Sequence, residues 1–225
     1  MFYKLSPSDF AYLYEECKLC YCLKVKHGIS QPRMPMPGIF GAINTRLQGT
    51  LVGTDLRTLA PHLPEGKVVK QEGFVESKPV PGTKVYLKGK YDLLVKRPDE
   101  TYLLVDFKLS QPHEDKIDKY KTQLFAYKYM LEYPTRGEAL RITQMGLIVM
   151  YPDKVKLVGG EAQLTFPPKW LEIPLDETGF MSFIQEVDAL LASPLPPETP
   201  TCKWCQYRHV NERFDQQPFQ EDLPF

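Results

Sequence analysis

Between Val68 and Leu109 polar and apolar residues alternate with a period of two, and on both sides of that stretch the apolar spacing is helical. Successive side chains of a strand point to opposite faces, so the alternation predicts strands at Val68–Ser77, Thr83–Lys96 and Thr101–Leu109. Arg97-Pro98-Asp99-Glu100 is the polar turn between the last two. Upstream, Ser6-Pro7-Ser8-Asp9 reads as a helix start, with Ser6 as cap and Pro7 in the first turn. Phe10, Leu13, Tyr14 and Cys17 follow at helical spacing. The run Gln31–Gly41 carries three prolines and two glycines and predicts a loop. Ile43, Leu47 and Leu51 predict a second helix, and Leu59–Gly66 is again rich in proline. Downstream, Leu124, Tyr127 and Leu131 predict a helix over Asp118–Glu132. Ile142–Tyr151 predicts an apolar strand, with shorter strands up to Asp176. Phe180, Phe183, Ile184, Val187, Leu190 and Leu191 define a late amphipathic helix. A proline-rich bridge then leads to Cys202-Lys203-Trp204-Cys205, and the polar residues from Asn211 predict a frayed end.

This order describes an α/β fold, a central mixed sheet flanked by helices. We read 1–225 as a single domain, with its core at about 40–192 and cysteine-bearing segments at 1–30 and 198–212. A hydrophobic content of 43% supplies a core and excludes global disorder. Lys plus Arg equals Asp plus Glu at 28 each, so no global positive field draws the chain onto nucleic acid. That argues against a non-specific coating role and leaves room for a local basic groove. No apolar run is long enough to span a bilayer, and Met1–Phe10 lacks a signal-peptide pattern, so the expectation is a cytoplasmic protein with no membrane partner.

Strand alternation places Lys88, Lys90, Asp92 and Leu94 on one face of their strand, and Leu104, Asp106 and Lys108 on one face of the next. The turn at Arg97–Glu100 makes the strands neighbours, so Asp92 and Asp106 converge near one end of the sheet. Two carboxylates plus the Phe107 backbone carbonyl suit Mg²⁺ or Mn²⁺, which take oxygen ligands and keep several waters. A lysine two residues after Asp106 lies beside the same ion, where it can hold a water or meet charge growing on a phosphate. Asp106 also follows the apolar run Leu103-Leu104-Val105, where an unpaired carboxylate is expensive.

GKYD at Gly89–Asp92, VDFK at Val105–Lys108 and QLFAY at Gln123–Tyr127 resemble the G-x-x-D, D-x-K and Q-x-x-x-Y motifs of RecB-type nucleases. These belong to the PD-(D/E)XK superfamily, and the CRISPR-associated RecB-like exonucleases are similar. The resemblance implies a restriction-endonuclease-like core and metal-dependent hydrolysis of DNA phosphodiesters, with Asp92, Asp106, Lys108, Gln123 and Tyr127 as catalytic residues. It implies DNA as partner, with a helicase or integrase-type protein as a further one. Gln123 and Tyr127 stand four apart on a helix and so share a face. Enzymes of this type carry a His or Glu in an early helix, where this chain has Asn44. Glu72, on the first strand, is the other candidate for that ligand. His62 fits the slot poorly. Without such a ligand the alternative is a catalytically impaired module that binds nucleic acid or a partner.

Cys17-x-x-Cys20 and Cys202-x-x-Cys205 lie near opposite ends of the sequence, and each pair can grip one metal. Together they complete a four-thiolate site that joins the two end segments. In the resembling family one N-terminal and three C-terminal cysteines hold an iron–sulfur cluster, whereas a two-plus-two split suits Zn²⁺. Cys22 is a spare and His209 a substitute ligand. His27 and His113 sit in polar stretches and read as surface residues. The basic stretches Cys22–Arg33 and Lys116–Lys128 are candidate walls of a DNA groove.

Overall fold

A computed structural model describes residues 2–32 and 37–210. The frayed end expected from Asn211, and Arg33 within the expected loop, lie outside the described residues. The chain begins with a short strand β1 (Tyr3–Leu5) and a helical turn α1 (Pro7–Asp9), which widens into a π-helical turn over Phe10–Tyr14. Cys17 breaks that helix with extended backbone and caps α2 (Lys18–His27). Then come α3 (Gly38–Leu51), β2 (Lys67–Glu76), β3 (Val85–Lys96), β4 (Tyr102–Leu109), α4 (Asp115–Glu132) and β5 (Ile142–Met150). The hairpin β6 (Lys154–Val158) and β7 (Glu161–Thr165), the edge strand β8 (Pro168–Glu172), α5 (Glu177–Ala192) and α6 (Lys203–Arg208) complete it.

The central sheet is mixed, in the order β1-β3-β4-β5-β8, with β2 on the other edge of β3. β2, β3 and β4 are antiparallel as their alternation predicts, β4 and β5 run parallel through the α4 crossover, and β1 joins β3 in parallel. Leu94, Leu104, Met145, Leu147 and Val149 pack against α4, α5 and the N-terminal helices. The opposite face, with Leu93, Val95, Leu103, Val105 and Ile148, is covered by Leu51, Leu56 and Leu63. No described helix is long and apolar enough to cross a membrane.

Two expectations are corrected, and one strand goes unread in the sequence. The stretch Gln31–Gly41 is not loop throughout, because α3 starts at Gly38. Gly38 and Gly41 sit in open space in its first turns, where a breaker costs little. The strand β1 carries no signal of its own, since three residues hold no readable period and its partner lies some eighty residues away. Lys88 and Lys90 do not share an inward face with Leu94. Both are exposed and ion-paired, with Glu76 at 2.7 Å and Glu72 at 3.1 Å. In β3 the residues packed into the α4-side core change from odd (Val85, Leu87, Tyr91) to even (Leu94) across Asp92.

The partner strand is irregular beside that change. Gln71 pairs with Leu93 and Gly73 with Tyr91, but Glu72 and Asp92 form no registered pair, and Glu72 has φ +50°. A non-glycine residue in the left-handed region costs about 1–2 kcal/mol, so this backbone kink is strain held by its surroundings, and it lies apart from the β2 bulge between Val68 and Lys70. Gly73 is part of what holds it, because the buried Tyr91 ring lies on its Cα and a methyl there would overlap the ring. Gly73→Ala should therefore destabilise the protein by about 1–3 kcal/mol, read as a lower urea midpoint at unchanged slope.

Candidate active site and metal centre

β3 pairs with β4 only from Leu93–Val105 to Lys96–Tyr102, and with β1 only at Val85–Leu87. Between these pairings the sheet forks, and backbone groups at the fork need partners other than a neighbouring strand. Asp92 supplies one: its Oδ2 accepts the Phe107 N–H at 2.8 Å. The carboxylate of β3 is thereby pinned to the backbone of β4 one residue beyond Asp106.

Asp106 is 4% exposed and held from two sides. Lys108 Nζ lies 2.7 Å from its Oδ2, and Gln123 Nε2 donates to its Oδ1 at 3.1 Å. Burial pushes the Asp92 carboxyl up to about 7, with the Asp106 charge adding to the rise and the Phe107 N–H and Lys108 opposing it. Burial likewise raises Asp106, against the pull of Lys108. For Lys108 burial acts to lower the ammonium, but Asp106 outweighs it and the net shift is upward. Two desolvated carboxylates thus face each other across a single ammonium. The site is short of positive charge, and its donors are oxygens. That fits a hard divalent cation.

Tyr127 stands one turn after Gln123 on α4. Burial raises its hydroxyl far above the ordinary range, and the charges of Asp106 and Asp92 add to this, so it stays protonated. Gly89 lets α1 and α4 close over the fork: a Cβ there would meet Pro7 Cδ at 2.9 Å and Tyr127 Cε1 at 3.0 Å. Asp92, Asp106, Lys108, Gln123 and Tyr127 are therefore gathered at one place.

The early-helix slot is less simple. Asn44 is half-buried on α3 with its Oδ1 unpartnered, and Gln48, one turn on, is fully buried with neither polar atom partnered. Sequence reasoning misses Gln48, although its i+4 spacing from Asn44 is a usable signal. Glu72 lies within electrostatic reach of Asp92, whose carboxyl it helps to raise, and pairs with Lys90. His62 bonds the Pro168 carbonyl at 3.1 Å. His27 and His113 are exposed. The basic stretch on α4 is not an open groove wall throughout. Lys128 is buried between Glu132 and Glu177, at 2.6 and 2.7 Å, and Lys121 pairs with Asp176. In the other stretch Lys24 is bound to Asp9 and Lys26 to the Ser193 carbonyl. Lys119 carries no ion pair among the described residues. Its ammonium lies 4.5 Å over the Tyr12 ring.

The two cysteine pairs meet. Cys17, Cys20, Cys202 and Cys205 are buried, with all four sulfurs within 4.8 Å of one another. Cys17–Cys205 is 3.6 Å, and Cys20 lies 3.8 Å from both Cys202 and Cys205. Sulfurs bound tetrahedrally at about 2.3 Å to one zinc stand about 3.8 Å apart, so the spacing fits a single ion. An iron–sulfur cluster would take the same four ligands with the sulfurs spread wider. Burial acts to raise the Cys17 thiol, but hydrogen bonds from Thr199 and the Cys20 amide prevail and bring it down to about 6. Arg208 Nη2 lies 3.1 Å from Cys205 Sγ, a cation suited to thiolate charge. Cys22 is buried outside the group, and His209 is not a substitute ligand: it turns to Glu198, at 3.0 Å.

The family model of the PD-(D/E)XK nuclease superfamily matches residues 41–210. Among solved structures, the crystal structure of SSO0001 is similar, with a TM-score of 0.51 at 16% identity over 92% of this chain and 84% of that one. At that identity the likeness is one of fold. A search of curated proteins finds no match.

Proposed function

Because the chain belongs to the PD-(D/E)XK nuclease superfamily, we propose that it is a Mg²⁺- or Mn²⁺-dependent deoxyribonuclease, working as an exonuclease on single-stranded or end-containing DNA. The observation that carries this reading is the Asp92–Asp106 pair at the sheet fork, desolvated, with Lys108 as its one paired cation among the described residues. Asp92, Asp106 and the Phe107 carbonyl would hold the divalent ion. Bound there, the ion would acidify a water and neutralise charge on the scissile phosphate.

The chain's own groups would do the rest. Asp106 holds the Lys108 ammonium in place, so the lysine needs no reorganisation to orient the attacking water or meet charge growing on a phosphate oxygen. Gln123 fixes the other oxygen of Asp106. Tyr127, protonated throughout the working pH range, can donate to a phosphate oxygen. At the ends of the chain the four thiolates would hold Zn²⁺ or an iron–sulfur cluster and keep the terminal segments on the core.

One observation favours a second reading, a catalytically impaired binding module. The early helix offers the amides of Asn44 and Gln48, which are weak metal ligands, where such nucleases have His or Glu. The test is to incubate purified protein with Mn²⁺ and end-labelled single- and double-stranded DNA. Cleavage that stops when Mn²⁺ is omitted supports the nuclease. Binding without cleavage under any divalent ion supports the module.

A further inference from the structure

We infer that a trough running from the fork past Tyr12 to Trp204 is the track of an unpaired nucleic-acid strand, with the Tyr12 and Trp204 rings as stacking platforms. The inference rests on the nuclease reading above and names residues that none of its motifs contains. Tyr12 lies on the π-helical turn, 47% exposed. Its hydroxyl is 2.7 Å from that of Tyr120, and the Tyr120 ring carries the Lys108 ammonium 4.4 Å from its centre. An exposed ring therefore sits two contacts from the proposed catalytic lysine. Lys119 extends over the same ring at 4.5 Å. Lys24, Lys88, Lys90, Lys121 and Lys128 all have carboxylate partners, whereas Lys119 and Lys4, the latter in a hollow with Gly89, carry no ion pair among the described residues and are left to meet phosphates.

Tyr12 also walls a hollow of about 560 Å³ shared with Glu16, Lys24, Ser30, Pro32 and Trp204. Through Asp9, Lys24 and Ser30 that hollow continues into another of about 620 Å³ ending at Lys88 and Gly89, and Gly89 abuts Tyr127. The path thus reaches the fork. Asp9 is neutralised by Lys24 at 2.6 Å. Glu16 remains as an exposed carboxylate, which disfavours a phosphate beside it and favours contact through bases at the Trp204 end. Stacking on a protein ring needs a base with a free π-face, which a duplex interior does not offer. The occupant is therefore single-stranded. The walls come from the two segments that the cysteines join: Tyr12 precedes Cys17, and Trp204 lies between Cys202 and Cys205.

The test is binding of a labelled single-stranded oligodeoxyribonucleotide, followed by fluorescence anisotropy without Mg²⁺ or Mn²⁺. Tyr12→Ala and Trp204→Leu should each weaken binding about 5- to 100-fold, the range for loss of one base–aromatic stack. Tyr12→Phe, which keeps the ring and loses the bond to Tyr120, should bind like wild type. A strand of abasic nucleotides should bind wild type as weakly as it binds the two variants. Wild type that does not bind the strand, variants that bind it normally, or variants that lose as much on the abasic strand each overturn the track. A Tyr12→Phe loss equal to that of Tyr12→Ala makes Tyr12 a structural prop and overturns it too. Because no cleavage is read, failure of wild type to cut DNA would sink the nuclease reading alone. Normal cutting with unchanged variant binding would sink only the track.

Discussion

Asp92→Asn should lose at least about a hundredfold in metal-dependent cleavage and at the same time stabilise the protein measured without added Mg²⁺ or Mn²⁺. The two effects share a cause. Asp92 is held up to about 7 by burial and by Asp106, against an ordinary 3.8. A carboxyl raised on folding favours the folded state less as it ionises, so its cost is absent below the unfolded value. It grows as pH rises through the interval and levels off above the folded value. Wild type should thus lose stability between about pH 4 and 7 on this account. The asparagine variant should not, and the gap at pH 8 should be about 1–3 kcal/mol. Asparagine keeps the shape, and its Oδ1 still accepts the Phe107 N–H. Thermal melts of both proteins across that range, beside cleavage of end-labelled DNA, check the pair of effects. A variant that cleaves normally would remove Asp92 from the site. Lys108→Ala should be equally inactive and keep a circular dichroism spectrum like wild type, with a lower melting temperature because it leaves Asp106 buried without its cation.

The β4 half of the site is legible in the sequence because its motif lies on a strand whose alternation is regular. Asp106 follows a buried run, and Lys108 is in phase with it, so β4 is readable alone. β3 is not. Its inward parity changes across Asp92, beside the left-handed backbone of Glu72 on the partner strand, which no alternation within β3 reveals. The meeting of the cysteines is legible because each C-x-x-C pair is an incomplete site, and completion requires the other. Lys128 shows the opposite limit. Its neighbours in sequence make it part of a basic stretch, but Glu177 reaches it from α5 and it is buried with two carboxylates. Tyr12 is readable only as a helix position, because what singles it out is Tyr120, 108 residues on. Gln48 escapes because a glutamine on an amphipathic helix looks like a surface residue unless its i+4 spacing from Asn44 is taken into account.

If the four cysteines hold a metal as proposed, removing it should lower the melting temperature by more than about 10 °C, whether or not DNA is present. The four thiolates come from segments more than 180 residues apart and are all buried. Without an ion four sulfur groups are packed together with only the Arg208 guanidinium beside Cys205 among the described cations, and Cys17, brought down to about 6, carries charge at neutral pH. Metal binding and folding of such a site are one equilibrium, because the unfolded chain does not preform it, and several kcal/mol of stability go with the ion. Cys202→Ser isolates this effect. Cys202 is the N-cap of α6, and serine is a good N-cap, so the helix start survives while the fourth ligand is weakened. Cys22→Ala is the matched control, since Cys22 is as buried as the ligands but outside the group, and it should keep full metal content. Elemental analysis of freshly purified protein identifies the centre: about one zinc per chain in colourless protein, or iron and sulfide in brown protein. Finding neither, with Cys202→Ser melting like wild type, would return the four cysteines to ordinary core packing.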